Sequence, residues 1–118
     1  MENRVIILYN RDIAIAKLTE ESDGKYSFII DEEALKAAAE QGCPVELLGP
    51  KRGVRRDTIP PIFGEFQISN GRKELLNELG IVKGDGYFDR LYKRAVKSDE
   101  FPKRDFWIGI EKAGKKDY

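Results

Sequence analysis

The chain has 118 residues, 41% of them hydrophobic and 36% charged, and its 21 basic and 21 acidic side chains cancel. A chain of this length forms one domain and buries about two-thirds of the surface its unfolded form exposes, so a true core is expected. The even charge demands neither nucleic acid nor an acidic membrane as partner, and a single cysteine excludes an intramolecular disulfide.

Residues 4–9 are apolar and β-branched and predict a strand. Asn10-Arg11-Asp12 predicts a turn, and residues 13–18 a second strand with Ile13, Ile15 and Lys17 on one face. Ser22-Asp23-Gly24 is a second turn signal, after which residues 25–30 predict a third strand with Tyr26, Phe28 and Ile30 on one face. An antiparallel meander follows from these three runs.

Asp31 offers a carboxylate cap to a helix over residues 32–41, where Glu32 and Glu33 suit the first turn and Gly42 closes the last. Residues 44–48 predict a short strand and residues 49–57 a loop, because Gly, Pro and basic residues there lack apolar periodicity. Asn70 is expected to cap a helix over residues 71–79 with Leu75, Leu76 and Leu79 inward and Gly80 as its stop. Asp85 is expected to cap the next helix, in which Tyr87, Leu91 and Ala95 form one row and Phe88 and Tyr92 its neighbour. Aromatic rows at this spacing pack a core more often than they bind a ligand.

Residues 98–104 read as a charged connector broken by Pro102, residues 106–110 as a last strand, and residues 112–118 as a solvated tail. The predicted architecture is α+β: a small, mainly antiparallel sheet, made of the amino-terminal meander and a carboxy-terminal strand, with three to four short helices. Residues 1–111 form its single domain.

Catalytic chemistry finds few of its parts. Histidine is absent, so nucleophilic triads lack their base and a zinc site lacks imidazoles beside the single thiolate. Gly80, Gly84 and Gly86 fit neither GxGxxG nor the P-loop pattern. Asp85 and Asp89 would open an acidic calcium loop, yet the remaining ligand spacing and the closing glutamate are missing, which favours helix capping. The pairs Glu20/Glu21 and Glu32/Glu33 sit in a turn and on a helix start and read as solvated. Asp105-Phe106-Trp107 is similar to the metal-binding triplet of kinases but lacks its glycine. The expectation is a protein that is not an enzyme and uses no cofactor and no metal.

Cys43, beside Pro44, is either a buried structural thiol or a reactive one; no nearby motif lowers its pKa, which favours burial. The longest apolar run, residues 5–9, is too short to span a bilayer, and no signal-peptide order precedes it. A cytoplasmic location with no membrane partner is expected.

Two features carry binding alternatives. Lys51, Arg52, Arg55 and Arg56 form either a solvated loop, a contact for an acidic protein surface, or a contact for nucleic-acid phosphates. Trp107, the only tryptophan, packs the last strand or anchors an interface.

From Asp57 onward the sequence resembles the amino-terminal subdomain of HipA-type serine/threonine kinases. Ile62-Phe63 stands for the family's aromatic pair, Arg72 begins the next helix, Leu79-Gly80-Ile81 ends it, Tyr87-Phe88 opens another, and Asp105 with Gly109 matches the closing strand. Glu65-Phe66-Gln67-Ile68 departs from the family's Asn-Leu-Leu-Pro run. Free-standing members of this family include the HipS antitoxins of split HipBST systems, encoded beside a HipT kinase and a HipB DNA-binding protein. The resemblance implies a regulatory lobe, an antitoxin, that docks on a HipT/HipA-like kinase and restrains it, with a HipB-like protein as a further partner. A lobe without its kinase is expected to keep an apolar docking face, and Pro60, Pro61, Ile62, Phe63 and Phe66, with Arg72 and Trp107, are the residues expected to form it. The alternatives are a nucleic-acid accessory domain using residues 51–56 and a structural or oligomerising domain.

Overall fold

The computed structural model describes residues 4–22, 24–44, 59–101 and 105–110. The expected strand over residues 44–48, the basic loop and the carboxy-terminal tail lie, apart from Pro44, outside the described residues.

Strands β1 (Val5–Asn10), β2 (Ile13–Ser22) and β3 (Lys25–Ile30) form the predicted meander, and β4 (Phe106–Ile110) returns antiparallel to β1, giving the order β3-β2-β1-β4. The first hairpin turns through Arg11, whose φ of 57° is uncommon for a residue with a side chain. The Arg11 amide donates to the Asp105 carbonyl at 2.7 Å, which ties this turn to the residue preceding β4.

Two sequence expectations fail in β2. The strand runs on to Ser22, so Glu20 and Glu21 lie in it rather than in a turn, and Glu20 pairs with Arg4 instead of standing solvated. The register passes from Leu8↔Ala16 to Tyr9↔Ala14, leaving Ile15 as the extra residue of a bulge. The bulge lets both Ile15 and Ala16 turn inward, and the alternation resumes with Leu18 buried. Lys17 therefore points away from the face it was expected to share with Ile13 and Ile15, and it is exposed.

Helix α1 (Glu32–Glu40) is capped by Asp31, whose carboxylate accepts the Ala34 amide at 3.1 Å. Helix α2 (Lys73–Leu79) starts later than predicted, with Arg72 at its cap and Gly80 in the left-handed conformation at its end. Asn70 does not cap it. The chain instead turns around Ser69, which accepts the Gly71 amide through Oγ and the Arg72 amide through its carbonyl. Helix α3 (Tyr87–Val96) starts from Gly86, whose amide donates to the Asp89 carboxylate at 2.9 Å. Asp85 was expected at that cap, but it faces backward and accepts the Val82 amide.

Helices α1 and α3 and a 3-10 turn over Pro61–Phe66 cover one face of the sheet, so the fold is a two-layer α+β domain. Its core joins Ile6, Leu8, Leu18, Phe28 and Ile108 of the sheet to Leu35 and Ala38 of α1 and to Phe88, Leu91 and Ala95 of α3. Cys43 is buried with them. Tyr87 departs from its predicted inward row and stays half exposed, while Leu91 and Ala95 are fully buried. A smaller cluster of Ile68, Leu79 and Ile81 packs against Leu75, Leu76 and Phe101 and gives α2 its own apolar support. Among the described residues no helix is long and apolar enough to cross a membrane.

Candidate binding groove

The expected docking face divides in two. Pro60 starts the 3-10 turn and is buried, and its carbonyl accepts the Phe63 amide at 3.1 Å. Ile62 and Phe63 enter the main core, where the Phe63 ring meets Phe28 edge-on at 5.8 Å with no accessible surface left. Neither side chain is open to a partner, which corrects the expectation that they form an exposed apolar face. The physical reason is the turn itself: stiffened by Pro60-Pro61, it aims three apolar residues at the gap beneath α3. Pro61 is exposed but does not line the groove described next.

Phe66, Arg72 and Trp107 come together. With Glu65, Gln67, Ile68, Arg94, Phe101, Asp105 and Phe106 they line a groove of about 710 Å³ beside the start of β4. Phe66 is only 7% exposed, so it contributes a buried wall rather than a protruding anchor. Arg72, at the start of α2, is exposed. Trp107 lies between the two readings the sequence left open. It is half-buried, stacks on Tyr9 at 4.0 Å and donates its indole N–H to the Arg11 carbonyl at 2.6 Å, leaving part of its ring for the groove.

The cations of α3 show how this groove differs from its surroundings. Arg90 donates to the Ile68 carbonyl at 2.7 Å and to Asn70 Oδ1 at 3.0 Å, pinning the segment before α2. Lys93 reaches the Gly80 carbonyl at 2.7 Å and Asp85 at 2.6 Å. That ion pair, and next the Val82 amide, hold the Asp85 carboxyl below its usual range. Arg94 has a different setting. Its guanidinium lies 4.1 Å from the Phe101 ring centre and 5.3 Å from that of Phe66, and its buried Nε has no hydrogen-bond acceptor. No described residue supplies Arg94 with a carboxylate, and burial lowers its pKa from the usual guanidinium value.

Sequence reasoning missed Arg94 and Phe101. The usable signal is positional: Arg94 borders the buried stripe of Leu91 and Ala95, and Phe101 is a lone aromatic in a charged connector with no strand or helix period to explain it. Lys51, Arg52, Arg55 and Arg56 lie outside the described residues, so their relation to the groove is not defined. No family model, no curated protein and no solved structure matches this chain.

Proposed function

We propose that this chain is a non-catalytic regulatory binding protein of the bacterial cytoplasm, a HipS-like antitoxin lobe that docks on a HipT/HipA-like serine/threonine kinase and restrains it. The groove lined by Phe66, Arg72, Arg94 and Trp107 is its contact surface. The observation that carries this reading is the groove's make-up: aromatic walls, an exposed arginine, and a second arginine with no acid among the described residues. Aromatic and arginine side chains are the residues that most often dominate interface energy. The resemblance to the HipA-type subdomain supplies the class of partner.

The test is co-expression with a HipT/HipA-like kinase, taken from the neighbouring reading frame where one is encoded there, followed by pull-down and a growth assay. A stable complex and restored growth are expected, with Arg72→Glu weakening the complex at least about tenfold, roughly the 1.4 kcal/mol that one reversed interface charge readily costs. Arg72 is exposed and makes no side-chain cap, so this variant should fold. A kinase that neither binds nor is restrained would overturn the reading.

A further inference from the structure

We infer that Arg94 anchors a carboxylate-binding subsite in the groove, which takes one aspartate or glutamate side chain of a partner polypeptide flanked by apolar residues. The inference deepens the docking reading above and rests on it for the partner being a protein.

Three observations lead there. First, a guanidinium is the side chain best matched to a planar, bidentate acid, and a desolvated one without an acceptor is costly to hold. Arg94 is half-buried, with its Nε sealed from solvent and no hydrogen bond from its guanidinium to a described residue. Second, the group already rests against two rings. Phe101 at 4.1 Å and Phe66 at 5.3 Å hold it against rings, so little conformational entropy remains to be lost on pairing. Third, the other ring-stacked arginine among the described residues is satisfied by acids. Arg4 lies 5.1 Å from Phe88 and 5.3 Å from Tyr92, and it pairs with Glu20 and Asp89, each at 2.8 Å. Arg94 has a similar aromatic setting and no acid among the described residues.

The surroundings narrow the ligand further. Among its described lining residues Glu65 and Asp105 stand against Arg72 and Arg94, so these formal charges cancel and they disfavour a run of several acids. A doubly charged phosphate is penalised by the same two carboxylates more than a single carboxylate is. Phe106 and Trp107 offer apolar wall to the residues beside the acid.

The experiment uses the full-length chain and a positional-scanning library of capped hexapeptides, each position fixed in turn as Glu, Gln, Ser or phosphoserine. Trp107 lines the groove and is the only tryptophan, so its fluorescence reports occupancy. One position is expected to prefer Glu over Gln by tenfold or more. Arg94→Met should abolish that preference while the chain melts no lower than wild type, and Arg94→Lys should retain a weaker one. The subsite is overturned by the absence of any acidic preference, by a preference unchanged in Arg94→Met, or by phosphoserine outcompeting Glu. If Arg94→Met fails to fold, Arg94→Lys decides: full wild-type selectivity there, where the planar fork is gone, also overturns it. An acidic preference that survives while the kinase fails to bind removes the kinase reading alone. Kinase binding without any acidic preference removes the subsite alone.

Discussion

Arg4 and Arg94 sit at opposite ends of α3, and each lies over two aromatic rings. Around Arg4 the chain closes a complete circuit. Its guanidinium takes both Glu20 oxygens at 2.8 and 3.0 Å and Asp89 at 2.8 Å, while Asp89 also accepts the Gly86 amide that starts the helix. The Glu20 hydrogen bond, opposed by burial, raises the Arg4 pKa above its usual value; the Gly86 amide and then Arg4 hold the Asp89 carboxyl below its own. Around Arg94 the described residues supply rings and no acid within ion-pair distance. The contrast separates two uses of one chemistry. The first joins the residue before β1 to β2 and α3, and the second leaves a half-buried guanidinium whose Nε has no described acceptor.

The bluntest way to break this comparison is to remove the platform under both ends of α3. Phe63 is fully buried against Phe28 and shares the core with Phe88 and Phe66. Phe63→Ala should cost about 3–5 kcal/mol from lost transfer and the cavity left behind. Chemical denaturation would show it as a lower midpoint with an unchanged slope. An unfolded fraction large enough to abolish binding by every surface is the expected functional result, whereas a fully stable variant would mean that Phe63 is not the core residue it is here.

Next in size is the Arg4 circuit itself. Arg4→Met keeps an apolar stem over Phe88 and Tyr92 but strands two partly exposed carboxylates, and a loss of about 2 kcal/mol is expected. The acid limb of the stability curve should change with it. The folded-state pKa of Asp89 is depressed, so its contribution is fully present above the unfolded value near 3.8 and is lost as pH falls through the folded value. Asp85, held down chiefly by Lys93, follows the same sign. Wild-type stability should therefore fall more steeply below about pH 4 than that of Arg4→Met, in which one of the causes holding Asp89 down is gone. Parallel acid curves for the two proteins would count against the circuit.

What the sequence made legible follows this same division. The meander, the Asp31 cap, the Gly80 stop and the returning strand were all readable, because alternation and punctuation are local signals carried by neighbouring residues. The Ile15 bulge was not, since an extra residue shows itself only against the register of β1. The groove was half readable. Phe66, Arg72 and Trp107 were singled out, yet their neighbours Ile62 and Phe63 turned inward, because apolarity marks both a core and a docking face. Arg94 was missed for a deeper reason. Its significance is an acceptor absent in three dimensions, and three of the four basic residues from Arg90 to Arg94 and Arg4 that look alike in the sequence are satisfied by residues 8 to 85 positions away.

The smallest effect sharpens the comparison most, because it has the opposite sign. Arg94→Met removes a half-buried cation and its ring contacts, and leaves an unbranched side chain that fits between Phe66 and Phe101. Loss of the cation–ring attraction costs about 0.5–1 kcal/mol, and removal of the one buried, unbonded Nε–H returns about as much or more. The expected melting temperature is therefore equal to wild type or a few degrees higher, by the usual conversion of about 1 kcal/mol into roughly 4–8 °C for a small domain. Arg4→Met, the identical substitution over an equivalent pair of rings, should melt well below it. If both variants fall by the same amount, the two arginines do the same structural job, and the distinction between a saturated clamp and an open anchor disappears. If only Arg4→Met falls, stability gives no reason for an arginine at position 94, and what remains to account for it is the acid that it would bind.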